Sequence, residues 1–419
     1  MIQPIKACRI CSNQTLLDVV DLGEQTLTGV FPASPAQAIS RGPIVLVKCV
    51  ESDSKSACGL LQLKHSYPLN ELYGENYGYR SGLNQSMVNH LTEKVKTICQ
   101  RIKLEENDII IDIGSNDATT LKAYPKGNYK IIGIDPTAEK FAEFYTENIM
   151  PIFDFFTAER VKEVIGNEKA KVITSFSMFY DLEQPLLFAE EVASLLDDDG
   201  IWVCEQSYMP TMLKQNSFDT ICHEHLEYYG LRQMHWIAEH AGLKILDVEF
   251  NDINGGSFSL VMATKNSTLK INKQKIDALI YQELLLGLDT EFPYFAFAKR
   301  IALIKTEITT FFNRVKQDKK IIYGLGASTK GNVLLQYCQL DNTHLPAIGE
   351  VNVDKFGSYT PGSLIPILPE SEIIARQPDY LFVLPWHFRS FFDAHLKLGK
   401  TELVYPLPSL DIAFRDSTS

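Results

Sequence analysis

The sequence predicts an α/β protein in three parts: a small cysteine-stapled amino-terminal domain, then two domains built on parallel, doubly wound sheets. Three observations carry that prediction. Four of the eight cysteines form two close pairs near the start, Cys8 with Cys11 and Cys49 with Cys58. The β-branched runs Ile109–Ile113 and Ile131–Ile134 end at Gly114 and Asp135, each followed by a helix-compatible stretch, which is the alternation of a parallel sheet. A second strand–loop–helix unit begins at Lys320. The 419 residues suffice for three domains at about 100–200 residues each, expected at 1–75, 76–268 and 269–419.

In the first part, Gly23, Gly29, Pro32, Pro35, Gly42 and Pro43 break the chain into short strands and turns. Such a segment needs a metal staple to be ordered. Zinc takes four thiolates tetrahedrally, so Cys8, Cys11, Cys49 and Cys58 are the expected ligands of a structural site, with the polar insert 50–57 bulging as a surface loop. Buried or disulfide-linked cysteines are the alternative. His65 reads as a surface residue, and Cys99, Cys204, Cys222 and Cys338 as small buried hydrophobes.

Met87, Leu91, Val95, Ile98 and Ile102 recur at three and four residues, predicting a helix over 85–103. The parallel sheet follows, continued by strands at 172–176 and 201–205 with a helix at 184–196 between them, and closed by a strand at 258–262. Residues 271–318 read as helical, with Phe297, Ile301, Ile304, Ile308, Phe311 and Val315 as the apolar stripe. The last part has strands at 320–324, 348–353 and 380–384, and a helix beginning near Val333.

With 40 Lys+Arg against 52 Asp+Glu the net charge is −12, which recommends neither a nucleic acid polymer nor an anionic membrane as partner. No run approaches the roughly 18 apolar residues of a membrane span, and the start MIQPIKACRICS lacks the apolar core of a secretory signal. A soluble, cytoplasmic protein is expected.

The loop Gly114–Ser115–Asn116–Asp117 sits where the first strand turns into its helix, the place where open parallel sheets bind ligands. A single glycine and three polar side chains would crowd and repel a pyrophosphate, so the loop suits a ligand with an amino acid end and no phosphate. Asp135, closing the second strand, is placed to accept from both ribose hydroxyls. Together these point to S-adenosylmethionine. Asp154 and Phe155 could hold and stack on its adenine; the same segment also fits a core with one polar end.

Further on, His223–Glu224–His225 with Tyr228 and Tyr229 is a dense group of titratable side chains. Alternate residues do not share a helical face, so this is not the zinc-hydrolase spacing. General acid–base work suits it better, because imidazole titrates near neutrality and a carboxylate neighbour can orient it.

At this point the sequence resembles the sugar C-methyltransferases of deoxysugar biosynthesis, which methylate nucleotide-linked 4-keto-hexoses at carbon 3. The resemblance rests on the cysteine tetrad, Tyr77–Gly82, Asp112–Asp117, Phe218–Tyr229, Gly326–Asn332, Tyr359–Gly362, and Pro378–Tyr380 ahead of Trp386, in that order along nearly the whole chain. It implies an enolate mechanism with His225 as base and Glu224 orienting it, Tyr79 or Tyr77 holding the sugar oxygen, and structural zinc fixing the amino-terminal domain as a lid. The substrate would be a nucleoside diphosphate keto-sugar. Arg80, Ser81, His223, Lys330 and Asn332 are the expected substrate contacts, with Lys330 or Arg80 on the diphosphate, although Lys330 fits a plain strand–helix junction equally. One position departs from the family, where a tyrosine often precedes His-Glu-His. Here it is Cys222, which donates less strongly and reaches less far. The rival readings are an O- or N-methyltransferase, a non-catalytic zinc-stapled binding protein, and, ranked last for want of a spaced acidic residue after its second loop, an NAD-dependent oxidoreductase.

Overall fold

The computed structural model describes residues 2–51, 56–72, 79–396 and 398–413. Tyr77 and residues 52–55 of the expected surface insert lie outside the described residues.

Short segments between breakers form β1 (Gln3–Pro4), β2 (Leu16–Thr26), β3 (Arg41–Cys49), β4 (Leu61–Leu63), β5 (His65–Ser66) and the short helix α1 (Leu69–Leu72). The middle of the chain gives α2 (Gln85–Arg101), β6 (Ile109–Ile113), α3 (Thr119–Lys122), β7 (Lys130–Ile134), β8 (Ile149–Ile152), α4 (Ala158–Ile165), β9 (Ala170–Phe176), α5 (Pro185–Leu195), β10 (Leu196–Ser207), α6 (Met209–Gln215), β11 (Glu227–Tyr228), α7 (Leu231–His240), β12 (Leu243–Asn251) and β13 (Ser257–Thr264). After the helices α8 (Lys273–Leu285) and α9 (Phe292–Gln317) come β14 (Ile322–Leu325), α10 (Thr329–Tyr337), β15 (Ile348–Glu350), β16 (Ile367–Pro369), α11 (Glu370–Ala375), β17 (Tyr380–Val383), α12 (Arg389–His395), β18 (Glu402–Tyr405) and β19 (Asp411–Ala413).

The central sheet has the order β12-β13-β10-β9-β6-β7-β8. All its neighbours run parallel except β13, which is antiparallel to both β10 and β12. β6 lies in its interior, between β9 and β7, and is buried on both faces, which is why it reads as an unbroken β-branched run. The pleat sends Ile109, Ile111 and Ile113 into one core and Ile110 into the opposite one. The carboxy-terminal sheet, β16-β15-β14-β17-β18-β19, is also doubly wound, parallel up to the antiparallel edge β19. The predicted stripe of α9 is buried at every position named. Among the described residues no helix is long and apolar enough to cross a membrane.

The amino-terminal sheet does not end where the amino-terminal segment ends. Its order is β11-β4-β3-β2, and the edge strand β11 comes from the middle of the chain, pairing Glu227 with Gln62 and Tyr228 with Leu61. One hydrophobic core runs from Val19, Leu46, Leu61 and Leu63 through Phe218, Ile221 and Leu226 to α9 and the carboxy-terminal sheet. Other buried residues of the segment, Cys8, Ile10, Cys49, Cys58 and Leu60, join the core under the central sheet, so its described residues share their cores with the rest of the chain.

Candidate active site

A cavity of about 240 Å³ opens at the carboxyl ends of β6, β7 and β9. Gly114 makes the turn that admits it: its φ is +74°, and a Cβ there would press on Met178 at 3.1 Å. Ser115 sits under the turn with its hydroxyl 2.7 Å from that of Tyr145. Asp135 closes β7 with its carboxylate fixed by Asn116 N (2.9 Å), Thr137 N (2.6 Å) and Thr137 Oγ1 (2.6 Å). Those bonds fill three of about four acceptor positions. A ribose diol can claim two only if the Thr137 hydroxyl turns away. Phe155, Phe156, Met178, Leu182 and Phe188 supply an apolar wall, and Asp112, Asp181 and Glu183 further carboxylates. Burial pushes the Asp112 carboxyl up to about 7, opposed by hydrogen bonds from Thr174 and Thr120. No lysine or arginine lines this cavity among the described residues. An acidic, partly apolar cleft fits a cationic sulfonium and ammonium ligand and repels phosphate.

Asn116 lines the cleft and Asp117 lies behind it, and both also hold the segment above. Asn116 accepts from Ser81 N (3.0 Å) and donates to Tyr79 O (3.1 Å), while Asp117 accepts from Gly82 N (3.0 Å) and from Thr119. The pair ties residues 79–82 over the cleft, and Asp117 itself is buried outside the lining. Tyr79 and Ser81 are thereby brought to the cleft wall. The Arg80 guanidinium lies over the Phe144 ring at 4.5 Å. Asp154 is likewise not part of the lining, because its carboxylate pairs with Arg160 at 2.9 Å.

His225 stands in a second, smaller cavity with Thr220, Tyr228, Asn254, Gly255 and Tyr180, whose ring meets the imidazole edge at 4.5 Å between centroids. The two cavities share a wall: Tyr180 lines this one, and Asp181, Leu182 and Glu183 line the cleft. Nδ1 of His225 lies 2.8 Å from the Thr220 carbonyl oxygen. A carbonyl only accepts, so Nδ1 carries the proton and Nε2 has the free lone pair. The orienting partner is thus Thr220 and not Glu224, whose carboxylate turns toward Thr28 Oγ1 (3.5 Å) and occupies the space a Cβ on Gly29 would take.

His223 and Asn332 are packed into the interior. His223 is fully buried against the edge of Tyr67 and 3.4 Å from Gly42 O, with its imidazole pushed down to about 4 by burial. Asn332 is fully buried and donates to Thr28 O (2.8 Å), joining α10 to the amino-terminal sheet. Lys330, two residues earlier, donates to Asn254 O (2.8 Å) beside the His225 cavity. Burial lowers its basicity and the nearby Asp219 carboxylate raises it. Contrary to expectation, the second glycine loop does have a spaced acidic partner: Glu350 closes β15 and accepts from Ala327 N (2.8 Å). Its other oxygen is taken by Val351 N and Asn352 N, so it serves the loop's own turn.

The four expected zinc ligands come together, with all sulfurs within 4.8 Å of one another. Cys8 and Cys58 sulfurs are 3.5 Å apart and Cys11 and Cys49 sulfurs 3.6 Å. A disulfide needs about 2.05 Å, whereas tetrahedral zinc at about 2.3 Å from each sulfur separates them by about 3.8 Å. The tetrad fits zinc.

A sheet of this strand order, opening on a cleft that favours a cation and rejects phosphate, is that of an S-adenosylmethionine-dependent methyltransferase. Family models match successive parts of the chain: "Putative zinc binding domain" over residues 8–73, "Methyltransferase domain" over 87–248 and "C-methyltransferase C-terminal domain" over 252–408. The chain is an S-adenosylmethionine-dependent methyltransferase that resembles the C-methyltransferases in all three of its parts, and its cysteine tetrad is a zinc site. The C-methyltransferase NovU of Streptomyces niveus is 28% identical over 391 residues, spanning 93% of this chain and 91% of that protein. Among solved structures, an S-adenosylmethionine-dependent methyltransferase from Clostridium acetobutylicum aligns over 42% of this chain and 92% of its own, at 12% identity and a TM-score of 0.33. The CcbJ methyltransferase of Streptomyces caelestis aligns over 42% and 89%, at 10% identity and the same TM-score.

Proposed function

We propose that the enzyme methylates carbon 3 of a nucleoside diphosphate-linked 4-keto-6-deoxyhexose through an enolate. The observation that carries this reading is the neutral, oriented His225 one wall away from the cofactor cleft. Carbon methylation needs a carbanion equivalent, and a carbon beside a ketone gives one when a base takes its proton and the electron pair moves onto the carbonyl oxygen. Nε2 of His225 takes that proton. The Thr220 carbonyl then shares the imidazolium charge through Nδ1. Tyr79, on the wall of the cleft, is the donor for the developing oxyanion. The Lys330 ammonium beside the base cavity and the Arg80 guanidinium supply positive charge for the anionic substrate. The cofactor, held by Asp135, Ser115 and the Phe155–Phe156 wall, supplies an electrophilic methyl group.

The test is hydrogen exchange at carbon 3. Incubating the keto-sugar nucleotide with enzyme in deuterium oxide, with S-adenosylhomocysteine in place of the methyl donor, should wash out the carbon 3 proton. A substrate that is methylated but never exchanges would sink the enolate. Separately, Asp135→Ala should weaken S-adenosylmethionine at least tenfold, about 1.4 kcal/mol, by calorimetry. An unchanged dissociation constant removes Asp135 from the ribose site.

A further inference from the structure

The zinc knuckle contains a residue that no expectation from the sequence used. Arg9 stands between the ligands Cys8 and Cys11, and its side chain is 3% exposed. Its Nε lies 3.2 Å from Glu183 Oε2 and 3.6 Å from Glu227 Oε1. The two terminal nitrogens donate to Leu63 O (2.6 Å), His65 O (3.4 Å) and Ser66 Oγ (3.1 Å), and Ser66 Oγ in turn donates to Glu183 (2.9 Å). The backbone amide of Arg9 is held by Gln62 Oε1 at 3.0 Å. Glu183 lines the cofactor cleft, and Glu227, two residues past His225, contributes to the wall of the base cavity.

We infer that Arg9 is a positioning residue through which the zinc knuckle fixes the wall shared by the cofactor cleft and the base cavity. For the second cavity this rests on the proposed function; for the cofactor cleft it does not. Zinc ligation on either side holds residues 8–11, so the guanidinium enters from a rigid point. Its planar fork reaches two carboxylates and three further oxygens at once, which a lysine ammonium on a flexible stem does not reproduce. Glu227 is fully buried, and Arg9 is the cation paired with it among the described residues. Burial pushes the Glu227 carboxyl well up and Arg9 opposes it, so without Arg9 the carboxyl loses its neighbouring cation and is free to move, and β11, which carries it, is continuous with the His225 turn. Glu183 would keep the Ser66 hydroxyl but lose its cation, loosening the segment Asp181–Glu183 along the cleft.

The test compares Arg9→Met with the unaltered full-length zinc enzyme by metal analysis, cofactor calorimetry and exchange at carbon 3. The expected result is one zinc per chain, a cofactor dissociation constant raised at least tenfold and exchange slowed at least a hundredfold. Arg9→Lys should recover part of the exchange. Val20→Ala, which loosens the same sheet without touching either carboxylate, should leave the dissociation constant within about twofold. Zinc-loaded Arg9→Met with unaltered affinity and exchange overturns the inference, and so does an equal loss in Val20→Ala. Should Arg9→Met fail to fold, Arg9→Met/Glu227→Gln removes the stranded charge. That variant should fold and still bind the cofactor at least tenfold more weakly because Glu183 lacks its cation, and an unaltered affinity there also overturns the inference. Absence of exchange in the unaltered enzyme would count against the proposed function alone, since zinc content and cofactor affinity are read without the sugar.

Discussion

His225→Ala is expected to slow exchange at carbon 3 and methyl transfer by about 10²–10⁴-fold, the usual contribution of a positioned general base, while S-adenosylmethionine binds as before. The separation of effects follows from the two cavities, because His225 lines the smaller one and no part of the cofactor cleft. The pH profile gives an independent check. Burial pushes the imidazole down to about 4; the Thr220 carbonyl opposes this and Lys330 adds to it. The active form is the neutral one, so activity controlled by this group is constant above its pKa and falls as pH drops through about 4. An acid limb near 6.5 would instead describe an imidazole open to water. A base with so low a pKa is weak until the enolate forms, when the oxyanion beside it stabilises the imidazolium and raises its basicity. Full turnover by the alanine variant rejects the assignment.

What the sequence makes legible here are features whose cause is local. The run Ile109–Ile113 announces a strand buried on both faces, and the single-glycine turn after it announces a cleft without phosphate. The apolar stripe of α9 and the cysteine tetrad are read from spacing alone. The misreadings concern polar side chains whose partners lie far along the chain. Asn332 and Thr28 are separated by 304 positions, and Arg9 and Glu183 by 174. Asn332, His223 and Glu224 look like site residues because they occur in motif segments, yet their environments are made by the amino-terminal sheet docking on the rest. Nothing near Glu227 or Tyr228 indicates that these residues will complete the edge of β4; a two-residue strand is too short to carry a periodic pattern. Thr220 orients the base through its carbonyl oxygen, a group every residue has, so its side chain gives no signal.

Cys49→Ser should produce the largest loss of stability of any single replacement considered. Structural zinc contributes about 10–16 kcal/mol of apparent binding free energy in small domains, comparable to the whole unfolding free energy of a typical protein, about 5–15 kcal/mol. Zinc content should fall from one per chain to none, and the cooperative melt should shift far down or vanish. Cys338→Ser is the matched comparison: Cys338 is also a buried thiol, but it lies outside the tetrad. Its replacement should retain zinc and cost only the small amount of placing a hydroxyl in an apolar site, about 1–3 kcal/mol. A Cys49→Ser protein with its zinc and melting temperature intact would dispose of the metal site. The loss should not stop at the amino-terminal segment. β4 is the strand on which β11 pairs, and β11 begins two residues after His225, so a sheet that loses its staple releases the turn that holds the base. Zinc in this enzyme is therefore expected to govern carbon 3 exchange as well as folding, although the transfer chemistry itself asks nothing of a metal.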